Sequence, residues 1–75
     1  MNNIRLARKT KGFTQDDVER LAKEKGLVIP RTTLSGWERG IAEPRIKQIV
    51  FLADIFGCST DFLLGHNVEG KVEFK

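Results

Sequence analysis

The chain has few of the residues on which reaction chemistry is built. Its 75 residues include one histidine, His66, and one cysteine, Cys58. A lone cysteine forms no internal disulfide, which fits a reducing cytoplasm. No Cys, His, Asp and Glu fall together at metal-ligand spacing, so neither a metal nor another cofactor is expected. Catalysis by paired carboxylates needs an enclosing pocket, and a chain this short has little interior left once its core is filled. No enzymatic activity and no small-molecule substrate are therefore expected.

Long apolar runs are also missing. No window approaches the roughly twenty uninterrupted apolar residues of a membrane span, so no membrane partner is expected. No apolar segment follows the first basic residues, and the N-terminus does not read as a secretory signal. Nothing repeats, and no segment is of low complexity. The length suits one domain, because halves of it would each bury too little apolar surface to offset the entropy of ordering the chain.

What is present is charge, unevenly placed. Thirteen basic residues stand against ten acidic, a net charge of +3. Residues 1–11 carry Arg5, Arg8, Lys9 and Lys11 and no acid, and residues 27–47 carry Arg31, Arg39, Arg45 and Lys47 against Glu38 and Glu43. The segments 12–26 and 48–65 are net acidic. A single charge run is usually a solvated face. Two basic runs, the second of which contains a candidate binding helix, favour an anionic partner.

The apolar spacing is helical almost throughout. A first helix is expected over residues 2–11, capped by Asn2 or Asn3 and ended by Gly12. Thr14, followed by Gln15, Asp16 and Asp17, starts a second helix with a capping hydroxyl and acids where the helix dipole favours them. Val18, Leu21 and Ala22 form its inner face, and Gly26 stops it. Leu27–Pro30 is a connector, since the residue before a proline is pushed toward extended backbone.

A third helix begins at Pro30 or within Arg31–Thr32 and ends by Gly40. A fourth, its start pre-set by Pro44, has the apolar stripe Ile46, Ile49, Val50, Leu52, Ala53 and Phe56, and Gly57 closes it. Ser59 caps a short fifth helix through Leu64 that contributes Phe62 and Leu63 to the core. Residues 66–75 alternate apolar and charged from Lys71 and are expected as a short strand or a frayed tail.

The third helix has two faces. Leu34 and Trp37 lie one turn apart on its inner side, where Trp37 reads as core, and Arg31, Thr32, Ser35, Gly36 and Arg39 lie outward. A helix reads duplex DNA when small or polar side chains near its N-terminus reach base edges while the opposite face packs on the domain. Arg31 can pair bidentately with guanine O6 and N7, and Thr32 can meet a thymine methyl or a base edge.

Taken in order, TQDDVERLA, TTLSGWERG and EPRIKQIVFLADIFGCSTDFLLG resemble the Xre and lambda-repressor-like helix-turn-helix family over roughly residues 3–65. The resemblance implies an all-α, five-helix DNA-binding domain over residues 1–65. The tail, 66–75, would serve as a dimer contact or linker. It implies base contacts at Arg31, Thr32, Ser35 and Gly36, and phosphate contacts at Gln15, Thr33 and Arg39. Arg45 sits where similar domains reach the backbone or minor groove, and a solvated surface arginine is the equal alternative. Arg8 and Glu38 stand where the family forms an ion pair joining helices one and three. Cys58 takes a slot where the family carries an aliphatic residue.

Two departures from the family pattern bear on the recognition helix. About five extra residues separate Thr14 from Leu34, so either helix two is longer or the turn is a true loop. Pro30 replaces the polar cap of helix three, and a later start would make Thr32 the cap instead of a base reader.

The expected function is a cytoplasmic, sequence-specific regulator of transcription, a bacterial or phage repressor binding double-stranded DNA as a homodimer on a palindromic operator. Helix five, through Phe62 and Leu64, is the expected dimer surface. The rival reading is a protein-interaction module, such as an antitoxin on the same scaffold; an acidic or apolar outward face on helix three would favour it.

Overall fold

Each helix of this protein starts and stops on a chemical signal that can be named. In the computed structural model, which describes residues 2–65, the helices are α1 Ile4–Thr10, α2 Gln15–Glu24, α3 Arg31–Glu38, α4 Ile46–Phe56 and α5 Thr60–Leu64, with no strand among the described residues. The expectation for residues 66–75, and His66 with it, lies outside the described residues.

At the start of α2, Thr14 and Asp17 form a reciprocal cap. The Asp17 N–H donates to Thr14 Oγ1 at 3.1 Å and the Thr14 N–H donates to Asp17 Oδ2 at 2.9 Å, which satisfies two amides that the helix itself leaves without partners. The Ser59 hydroxyl accepts from the Phe62 N–H at 3.0 Å and starts α5 in the same way. At α1 the two expected capping residues divide the task. Asn3 holds the cap position without a side-chain cap bond, and Asn2 Oδ1 accepts from the Ile4 N–H instead. The Asn3 amide is drawn away to the Phe62 carbonyl at 2.8 Å, tying the chain's start to α5.

Helices α1, α2 and α3 end alike. At the end of α3, Gly40 takes φ +77°, its N–H bonds to the Trp37 carbonyl, and the Ile41 N–H reaches back to the Gly36 carbonyl at 2.9 Å. Such a left-handed residue consumes the last free carbonyls of a helix, and glycine adopts it without a Cβ penalty. The same bond pair follows α1 and α2, where the residue after the glycine, Phe13 or Leu27, folds down against the core.

Helix α1 packs against α3, α4 and α5, while α2 packs against α3 and α4 against α5. Ile4, Val18, Ala22, Ile29, Leu34, Leu52, Phe56 and Leu63 are almost fully excluded from water. Each large side chain so placed stabilises the fold by about 1.5–3 kcal/mol relative to exposure. Phe13 sets its ring 6.1 Å from that of Phe56, in a tilted arrangement. The Cys58 thiol is buried in this core, and that burial raises its pKa above the ordinary thiol value.

Two expectations about buried faces are corrected. In α4, Ile46 is 80% and Val50 53% exposed, and Phe51 is buried in their stead. The run from Ile49 to Ala53 is apolar on every side, so spacing alone does not choose a face. The water-facing Asp54 does, because it continues the i, i+4 row of Ile46 and Val50. Phe62 is 5% exposed and lies in the core as its spacing suggested, so it is not available to an apolar dimer patch on α5.

The connector is a real loop. Helix α2 stops at Glu24, and residues 25–30 cross to α3 with Ile29 buried, Leu27 half-buried and Val28 turned to water. Those extra residues therefore lengthen the turn of the motif.

Candidate nucleic-acid interface

The geometry of α3 follows from how its two ends are held. Its inner face seats Leu34 and Trp37 in the core, and the Trp37 carbonyl accepts from the Asn2 side-chain amide at 2.6 Å. At the C-terminal end, Arg8 of α1 meets Glu38 face on. Arg8 Nε lies 2.6 Å from Glu38 Oε2, Nη2 lies 3.2 Å from Oε1, and Nη1 donates to the Phe13 carbonyl at 2.8 Å. The two side chains are only 9% and 4% exposed. Such a buried pair orients the helix more than it adds net stability, because desolvation offsets much of the attraction.

At the N-terminal end, the helix starts at Arg31 with Pro30 as its cap residue, so Thr32 lies inside the first turn and is not the cap. Proline brings no side-chain acceptor. The missing acceptor comes from α2, where Glu19 Oε1 receives the Arg31 N–H at 3.1 Å. The Arg31 guanidinium also turns toward α2 and places Nε 3.1 Å from Asp16 Oδ1.

An open groove of about 900 Å³ runs between α1, the start of α2 and the outer side of α3. It brings together Gln15, Ser35, Arg31 and Arg39 with the Arg8–Glu38 pair, and adds Arg5 and Lys9 from α1. Five cations and the carboxylates of Asp16 and Glu38 line it, which leaves +3, the net charge of the whole chain. With Arg8 and Glu38 cancelling one another, Arg5, Lys9, Arg31 and Arg39 remain as water-exposed cations around an open cleft. That arrangement concentrates positive potential where a polyanion can approach.

The Gln15 amide donates to Glu38 Oε1 at 3.3 Å. One amide hydrogen is thereby engaged and the other left for a ligand. Thr32, Thr33, Gly36 and Arg45 do not line this groove. Thr32 is exposed and Thr33 and Gly36 are half-buried on α3. A Cβ at Gly36 would meet nothing within 4 Å, so intramolecular packing does not require glycine there. Arg45 stands apart, beside Leu27 and Ile46, its N–H donating to Gln48 Oε1 at 2.7 Å.

Four site-related residues escaped the sequence reading. Arg5 and Lys9 lie one turn apart on α1, and the acid-free opening of the chain was the signal for them. Asp16 and Glu19 had none, because their partner on α3 is brought near only by the folded connector. Asp17 behaves differently from its neighbour. The hydrogen bonds from the Thr14 backbone and side chain, with Arg20 nearby, hold its carboxyl below the ordinary carboxylate range.

No helix among the described residues is long and apolar enough to cross a membrane, and no group of side chains there could hold a metal ion. Neither curated proteins nor solved structures yield a match to the chain. A helix-turn-helix family model matches residues 4–63. The chain thus belongs to the Xre and lambda-repressor-like helix-turn-helix family, whose members are DNA-binding regulators of transcription.

Proposed function

We propose that this chain is a cytoplasmic repressor of bacterial or phage origin that binds a palindromic operator in double-stranded DNA as a homodimer. Occupying an operator that overlaps a promoter blocks transcription without any chemical step. The observation that carries this reading is the groove whose lining holds a charge equal to the whole chain's net +3, beside a helix that turns Arg31 and Thr32 outward.

In this reading Arg31, Thr32, Ser35 and Gly36 meet base edges, and Gln15, Thr33, Arg39 and Arg45 meet phosphates. Arg8 and Glu38 hold α3 at the angle that makes both sets of contacts possible. A single domain covers too few base pairs to specify a genomic site, which is the reason to expect two copies on a two-fold sequence.

Selection from a randomised duplex pool, followed by titration at several salt concentrations, tests the proposal. A palindromic consensus and an affinity that falls steeply with salt are expected. Arg31→Ala should relax preference at one base position, at a cost of about 1–3 kcal/mol there, whereas Arg39→Ala should weaken all duplexes about equally. An affinity that ignores salt would sink the DNA reading and favour a protein partner.

A further inference from the structure

Arg31 is held at two points by the same face of α2. Glu19 Oε1 accepts its backbone N–H at 3.1 Å, which fixes where the side chain leaves the helix. Asp16, one turn earlier on α2, forms an ion pair with the guanidinium, its Oδ1 3.1 Å from Nε. An arginine has five N–H donors in a rigid fork, and a bidentate bond to guanine uses two of them. With a carboxylate paired at the Nε end of the guanidinium, the Nη1 and Nη2 edge at its far end is the one left to a ligand.

From this geometry we infer that Asp16 is a specificity-determining residue: it positions the Arg31 guanidinium for end-on bidentate pairing with a base and turns it away from phosphate. The inference rests on the DNA-binding reading above. Arginine carries large rotamer freedom, and a side chain already oriented loses less of it on binding. The same carboxylate lies in the groove among Arg31 and Arg39, where it opposes phosphate and so lowers binding to any sequence alike. Asp16 thus trades general affinity for discrimination. It acts through Arg31 and need not touch DNA.

The test compares Asp16→Asn with the wild-type chain on the selected duplex, on its single-base-pair variants and on a random duplex. Asp16→Asn should bind the random duplex at least as tightly as wild type. It should also lose roughly three- to tenfold of the discrimination at the one position that Arg31→Ala identifies, part of what a bidentate contact supplies. In an Arg31→Ala background, Asp16→Asn should leave discrimination unchanged. Retained discrimination in Asp16→Asn, or a loss spread evenly over all positions, overturns the inference while leaving DNA binding intact. Absence of sequence preference in the wild-type chain overturns the DNA reading itself, and this inference with it. Thermal unfolding of the variant, expected to match wild type, separates positioning from damage to the fold.

Discussion

Helix α3 carries an ion pair near each end, and the two pairs are opposites. Arg8–Glu38 is 2.6 Å long with side chains 9% and 4% exposed. Arg31–Asp16 is 3.1 Å long with side chains 60% and 70% exposed. Burial makes the first an anchor, since neither charge has water to return to when its partner is removed. Exposure makes the second exchangeable, because solvent screens both charges and can replace either partner. An α3 fixed by a buried pair at its C-terminal end keeps its angle, while the exposed Asp16 at the other end orients the Arg31 side chain without anchoring the helix.

The sharpest way to break this comparison is to remove one member of the anchor. Glu38→Ala leaves Arg8 buried beside the Phe13 carbonyl with no carboxylate, and should destabilise the fold by about 3–5 kcal/mol in urea denaturation. It also strips the Gln15 amide of its acceptor. Arg8→Ala should produce a loss of similar size, and the double variant should lose less than the two combined, since the interaction can be removed only once. Additive losses would mean that Arg8 and Glu38 act independently and that α3 is oriented by its apolar contacts alone.

A smaller effect is expected from acid at the start of α2, next to the exchangeable end. The Asp17 carboxyl is lowered by the Thr14 hydrogen bonds first, with Arg20 adding to them. A folded pKa below the unfolded one gives stability that is present above the unfolded value and lost as pH falls through the folded value. Wild type should therefore be more stable than Asp17→Asn at neutral pH, and the gap should close as pH falls into and below the carboxylate range. Denaturation midpoints measured at neutral and acid pH check this. A gap that persists in acid would mean that the amide's altered shape, and not the lost charge, weakens the cap.

Much of this architecture was legible because glycine and capping residues punctuate the chain. Gly12, Gly26, Gly40, Gly57 and Gly65 all take positive φ at helix ends, and Thr14 and Ser59 cap as their chemistry suggests. The two faces of α3 were legible too, because Leu34 and Trp37 are one turn apart among polar neighbours. The orientation of α4 was not, since the run from Ile49 to Ala53 is apolar on every side and a single residue, Asp54, marks the row that faces water. The groove was legible only in part. Arg31, Arg39 and Gln15 stand on the motif, whereas Arg5 and Lys9 join them only once α1 has packed across α3. The Glu19 cap could not be read locally, because it lies twelve positions from the amide it serves.

The smallest expected effect concerns the exchangeable pair. Asp16→Asn should change unfolding free energy by no more than about 0.5 kcal/mol, the scale of a solvent-exposed pair with two mobile side chains. The helix keeps its start in this variant, because the Arg31 N–H is still received by Glu19 and the Thr14–Asp17 cap is untouched. Glu19→Ala should cost more than Asp16→Asn, about 1 kcal/mol, because a helix start left with a proline and no acceptor resembles the loss of an N-cap. If Asp16→Asn proved the more damaging of the two, the guanidinium contact would be holding α3 in place, and the N-terminal end would be a second anchor like the first.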